Sequence, residues 1–241
     1  EAARISEAAS RMAGGFLRSH QPSAISRQPI EISPRLAIQA DPAVLARLDE
    51  SAIQSIETWL KEPETLCSNC APNALAPLLG MVGVSVSRET LTAQAFLVDY
   101  LSGNLDRSEG PLHISMDTVQ RLAAAHGLTL NAVQLTDDEL LLLQYPMIAA
   151  LDLTQDGDAD HYVVVSDATE ARVAYYESDG TRESLPTHQF LRLFTGFALV
   201  ASADSYGRLL SEAQRRAIAG GRKSRVKDYA AVAQFYKEPS L

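Results

Sequence analysis

The stretch LCSNCAPNALAPLLGMVG, residues 66–83, sets the chain's two cysteines three positions apart, directly before an apolar run that reads as a helix. Four chemistries use such a pair. As a metal clip it is half a site: structural zinc needs four protein ligands, and Cys67 and Cys70 find no spaced pair of histidines to complete the set. Attached haem needs His directly after the second cysteine, and residue 71 is Ala. As a redox pair it would precede a helix, where thiol pKa values fall, with QYPM (residues 144–147) as the proline loop beside it. That fold wants a strand and a βαβ unit around the motif, whereas residues 41–66 read as helical. The third use is a structural disulfide or two buried thiols. The fourth is one nucleophile with a neighbour.

The fourth reading rests on Cys70. A cysteine at a helix N-terminus lies among unpaired backbone N–H groups and the positive end of the helix dipole. Both favour thiolate, and the same amides can hold an oxyanion. Pro72 suits the first turn of that helix. A general base must then come from elsewhere in the chain. His161 opens HYVVVSDA (residues 161–168), between the acidic turn DGDAD and an apolar strand. The following strand, RVAYYESDG (residues 172–180), carries Glu177 and Asp179 at its end. The start of one antiparallel strand faces the end of the next, so a hairpin makes neighbours of His161 and Glu177. Distant Cys, His and acid gathered by a fold are a nucleophile, its base and the group that orients the base.

Bulk properties set the frame. The chain's 241 residues are 46% hydrophobic and 21% charged, enough for one generous domain with a true core. A net charge of −9 argues against a general nucleic-acid binder. No apolar run approaches the roughly 18 residues of a membrane span. From Ala201 to Leu241, eight basic residues face four acidic ones, so this end is net +4 and the rest carries −13. A basic end on an acidic body fits docking to a partner; it equally fits a solvated helix and a loose end. No phosphate-binding glycine motif occurs, and no cofactor is expected. The chain opens Glu-Ala-Ala without Met. With its sparse cysteines, this leans towards a processed, exported or periplasmic protein rather than a cytoplasmic one.

Residues 1–20 show helical periodicity at Ile5, Ala9, Met12 and Phe16, and four prolines between 22 and 42 then make an extended connector. Residues 1–40 therefore read as an arm. Asp41 caps a helix that starts at Pro42, in which Trp59 is a packing anchor. The body runs to 201 and a basic helical tail covers 202–241. Within the body a helix capped by Ser87 follows the cysteine helix, with Glu89 in its first turn. A third runs from the cap Ser115 to the stop Gly127, and LTDDELLLLQ is a short fourth. Then the period changes. YPMIAALDL, HYVVVSDA, RVAYYES and FTGFALVAS read as strands, separated by turns that include SDGTRESLP. Helices first and an antiparallel meander afterwards make an α+β domain.

Three ordered segments carry a family resemblance: CAPNALAPLLGMVGVSVSRETL, then YPMIAALDL to DHYVVVSDATEARVAYYESDG, then LPTHQFLRLFTGFALV. Together, over residues 60–201, they resemble the C39 peptidase family, papain-like cysteine peptidases that include the double-glycine leader peptidases of bacterial bacteriocin exporters. The resemblance implies a papain-like fold, with an N-terminal helical half packed on an antiparallel sheet. It implies Cys70 as nucleophile, His161 as base, and Glu177 where the family usually has an orienting Asp, with Asp179 as the alternative. The family's side-chain oxyanion donor, usually a Gln six residues before the nucleophile, falls on Glu64. An ionised Glu cannot donate, and losing one oxyanion donor costs roughly 2.7–4 kcal/mol; a protonated Glu64 or Asn69 would restore it. Ala71 replaces the usual Gly, and Pro77 lies inside the helix, where it removes one backbone bond.

Two functions follow. One is a cysteine peptidase acting on an extended peptide or protein substrate with small residues before the scissile bond. The other is a C39-like accessory subunit of weak or no activity, for which Glu64 and the two extensions, 1–40 and 202–241, speak as devices for docking a protein partner. Other residues read more plainly. His113 and His126 flank the third helix as surface or helix-end residues, His188 caps or faces solvent, and His20 belongs to the arm. Tyr162 to Val165 are core strand. DGDAD is a solvated turn, too short for a twelve-residue calcium loop. The AGG sequences at 13–15 and 219–221 invite comparison with Gly-Gly cleavage sites, and both read as flexible joints.

Overall fold

A computed structural model describes residues 36, 43, 70–103, 113–143, 145–178, 180–201 and 206–220. The expectations for the arm, for the helix from Asp41 with Trp59, and for His20, Glu64, Cys67, Asn69 and Asp179 fall outside these. Helix α1, Cys70–Met81, begins at the nucleophile candidate and keeps its helical path through Pro77. Its buried face pairs small with large: Ala71 and Ala74 beside Leu75, Leu78 and Leu79. Small side chains let the helix axis approach the sheet, and the leucines fill the space beyond.

Helix α2, Arg88–Leu101, starts as expected: Ser87 Oγ accepts the Thr90 amide at 3.1 Å. Strand β1, Ile114–Ser115, leads directly into helix α3, Met116–Ala125, whose N-cap is Ser115. Gly127 ends the turn that follows α3. A buried carboxylate ties these pieces together. Asp99 of α2 accepts the Ser115 amide at 2.9 Å, the Ser115 hydroxyl at 2.8 Å and the Thr118 hydroxyl at 2.7 Å. His113, read from sequence as a surface or helix-end residue, is only 7% exposed. It stands immediately before the strand that Asp99 anchors, and is drawn inward with it.

Strand β2 is Asn131–Gln134; the short helix α4, Asp137–Leu142, carries a capping box between Thr136 and Glu139. Then come β3, Met147–Leu151; β4, His161–Ala168; β5, Arg172–Tyr176; and β6, Arg182–Pro186. Helix α5, Thr187–Leu191, and β7, Phe194–Val200, follow, and then β8, Arg208–Leu209, helix α6, Glu212–Ala217, and β9, Ala219–Gly220. Among the described residues, seven strands form one antiparallel sheet in the order β6-β5-β4-β3-β7-β2-β8, and β1 pairs separately with β9. Hence β3 to β6 are a true meander, while β7 returns to the far side of β3. Tyr162 and Val164 face the helices α1–α3, and Val163 and Val165 belong to the core on the opposite side.

Two sequence expectations need correction, and one strand, β2, was not read from the sequence at all. SDGTRESLP contains strand β6 as well as a turn; its polar residues suit an edge strand, and Arg172 bonds both the hydroxyl and the carbonyl of Ser184 across the pair. Four-residue β2 carries too short a pattern to stand out. Residues 219–220, read as a joint, are a buried strand. Residues 206–220 as a whole pack on the body: β8 pairs with β2, and the Leu210 amide bonds to Ala132 O at 3.0 Å.

The Asp99 anchor yields a prediction. Replacing it with Ala strands the Ser115 and Thr118 donors in the core, so Asp99→Ala should lower stability by about 3 kcal/mol. Urea denaturation followed by circular dichroism measures it; a loss below about 1 kcal/mol would show the network to be incidental.

Candidate active site

Cys70 occupies the first position of α1, with a free thiol and 4% exposure. The amides of Cys70, Ala71 and Asn73 open the helix, and Pro72 contributes none. The positive end of the helix dipole lies at this first turn.

His161 is the first residue of β4 and is 3% exposed. The turn before it is built to hold it still. Asp160, itself buried, accepts the Leu153 and Thr154 amides at 3.0 Å each, and its own amide bonds to Leu151 O. Asp152 accepts the amides of Asp156 and Gly157 at 3.2 and 2.7 Å. The acidic turn is thus organised by its own backbone, and among the described residues no three His, Cys, Asp or Glu side chains gather as a metal site.

Glu177 lies just past the end pair of the β4–β5 ladder, Val164 with Tyr176. The backbone then turns sharply: Gly180 N–H donates to Glu177 O, and Glu177 N–H to Thr181 O, each at 2.9 Å. Gly180 sits at φ +89°, a conformation that favours glycine. The result places Glu177 Oε2 2.9 Å from His161 Nε2. The Cys70 side chain also acts on the His161 ring, as a hydrogen-bond partner and as a charge.

The electrostatics follow from this line of groups. Burial is the largest effect on His161 and lowers its pKa, but it is outweighed by the hydrogen bonds to Cys70 and Glu177 and by their charges. Together they push it up to about 10. The ring is therefore an imidazolium at neutral pH, suited to donating a proton. Tyr162, read from sequence as plain core, stands beside the sulfur. Its burial, with the charges of Cys70 and Asp99, holds its pKa well above the usual value, so its hydroxyl remains a donor. That hydroxyl reaches Ile218 O at 3.0 Å. Its position next to His161 in the sequence was the available clue.

The structure therefore brings together Cys70, His161 and Glu177. Of the other histidines, His126 caps α3 and its ring meets Gln94 at 2.9 Å, burial lowering its pKa, while His188 is exposed on α5. No described helix is long and apolar enough to cross a membrane.

Among solved structures, the chain is similar to a double glycine motif protease from an AMS/PCAT transporter in complex with the leader peptide, at 19% identity and a TM-score of 0.44, over 54% of this chain and 81% of that one. It is similar also to the peptidase domain of Streptococcus ComA, a bifunctional ABC transporter involved in a quorum sensing pathway, at 18% identity and a TM-score of 0.44, over 55% of this chain and 90% of that one. A comparison with curated proteins found no match. The model of the peptidase C39 family matches residues 65–205. That span covers more than half of the 241 residues and includes Cys70, His161 and Glu177. The chain belongs to the peptidase C39 family.

Proposed function

We propose that the protein is a cysteine peptidase that cleaves an extended peptide after small residues of Gly-Gly type. The observation that carries this reading is the His161 ring, bonded to Glu177 at 2.9 Å and acted on by the Cys70 side chain at the start of α1. Cys70 thiolate attacks the peptide carbonyl, and the amides at the start of α1 receive the oxyanion. His161 protonates the leaving amine, yielding a thioester. It then takes a proton from water, which displaces the thioester and frees the acid and the sulfur. Glu177 keeps the ring oriented and charged, as the third member of such arrangements does.

The first test is hydrolysis of an extended quenched fluorescent peptide containing Gly-Gly, beside the same peptide with Val-Val. The wild-type chain should cleave the glycine peptide alone, and Cys70→Ala should lower kcat/KM by at least about 10⁴-fold. Cleavage that survives Cys70→Ala would overturn the assignment. The accessory-subunit reading predicts no cleavage by either chain.

The second test uses pH. Glu177 raises the His161 pKa, so its removal lowers it. An anionic alkylating agent such as iodoacetate is drawn to Cys70 by the imidazolium, and its rate should fall as pH rises through about 10. In Glu177→Gln this alkaline limb should move to lower pH by about one unit or more. An unmoved limb would remove Glu177 from its orienting and charging role. Carrying Cys67→Ser in both chains leaves Cys70 as the single thiol.

A further inference from the structure

A nucleophile has to meet its substrate, yet Cys70 is 4% exposed, and a residue from far along the chain stands against its sulfur. A Cβ built on Gly220 would lie 2.7 Å from Cys70 Sγ and closer still to two carbons of the Tyr162 ring. The Gly220 backbone is therefore packed on both, and even a methyl group would collide there.

The segment that brings Gly220 to this point is fastened unevenly. Its root belongs to the main sheet: β8 pairs with β2, the Gly207 amide donates to Glu139 at 2.9 Å, and the Leu210 amide donates to Ala132 O at 3.0 Å. Beyond the root, helix α6 buries none of its residues. Charge holds it instead. Arg215 Nε donates to Asp117 Oδ1 at 2.9 Å, and Asp117 is 3% exposed. At the far end, Ile218 O accepts the Met116 amide at 2.8 Å and the Tyr162 hydroxyl at 3.0 Å. Strand β9 then pairs only two residues, Ala219 and Gly220, with Ser115 and Ile114 of β1. Residues 211–220 thus hang from a firm root and are closed by a few separable bonds. A segment so thinly attached opens locally at much lower cost than the sheet it hangs from. It lies beyond residue 205, where the family match ends, and is an addition to the matched domain.

We propose that residues 211–220 are an autoinhibitory strap: closed, they cover Cys70, and lifted on the root at Leu210 they open it to a peptide. This rests on the peptidase reading of Cys70 and adds the regulation of that site. Attack needs a carbonyl carbon within about 3.5 Å of the sulfur, and a sulfur packed under the Gly220 backbone admits none. Strap and peptide therefore compete for one place. The closed strap multiplies the apparent KM by the ratio of all molecules to open ones and leaves kcat as it is.

The experiment uses the full chain carrying Cys67→Ser, so that Cys70 is the single thiol. Three quantities are read: Cys70 alkylation by iodoacetamide at neutral pH, hydrogen exchange by mass spectrometry, and KM and kcat for the Gly-Gly fluorescent peptide. Arg215→Ala removes the strap's charge-assisted bond, while Arg121 still holds the other oxygen of Asp117 at 2.7 Å and keeps that carboxylate paired. It should speed alkylation about tenfold. Exchange should quicken in residues 211–220 and stay slow in β3 and β4, and KM should fall about tenfold at unchanged kcat. Gly220→Val, which cannot seat beside the sulfur, should move every readout the same way and at least as far. Alkylation unchanged in both variants would overturn the strap. So would exchange that quickens equally in β3 and β4, which marks general loosening of the fold, or a fall in kcat at constant KM, which would make the segment part of the catalytic machinery. Faster alkylation with no cleavage by any chain supports the strap over the thiol and overturns the peptidase reading instead.

Discussion

A buried imidazole held between a sulfur and a carboxylate is the constraint around which this molecule is arranged. Burial by itself would strip His161 of its proton, and only the paired contacts to Cys70 and Glu177 reverse that and raise its pKa to about 10. Neither partner is free to drift. Cys70 is fixed by the register of α1 on the sheet, where Ala71 and Ala74 permit close approach. Glu177 is fixed by the turn at Gly180, and His161 by the amides gathered on Asp160. A displacement of any one element by an ångström would break the line of groups, which is why so much backbone hydrogen bonding surrounds so few side chains.

The helical half serves the same end by a second route. Asp99 fastens α2 to the start of α3, and in doing so it sets β1 where β9 can pair with it. The strand that carries Gly220 to the sulfur therefore depends on a carboxylate buried well inside the helical layer. Tyr162 completes the arrangement, linking the sheet to the Ile218 carbonyl. Stability and access to the nucleophile are coupled through the same few bonds.

What could be read from residues alone followed physical rules of short range. Caps at Ser87 and Ser115 and the apolar strands β3, β4, β5 and β7 were legible because each carries its own local signal. The meeting of His161 with Glu177 was legible because a hairpin joins them. The meeting with Cys70 came from the chemistry that a cysteine at a helix start requires, aided by the family resemblance. Strand β6 was hidden because an edge strand tolerates polar residues. The burial of His113 and the role of Tyr162 arise from long-range packing that no window of sequence contains. The Gly220–Gly221 pair shows the limit most clearly: in sequence a glycine pair reads as a joint, and only the neighbours of Gly220, a sulfur and a tyrosine ring, show that the absent side chain is what the position requires.

The most direct test of this account is the charge on one ring. In a chain labelled with ¹⁵N at histidine, the His161 ring nitrogens report protonation by their chemical shifts as pH is raised. The account predicts an imidazolium that persists through neutral pH and titrates near 10. A ring already neutral at pH 7 would contradict it, because burial would then have prevailed over the sulfur and the carboxylate.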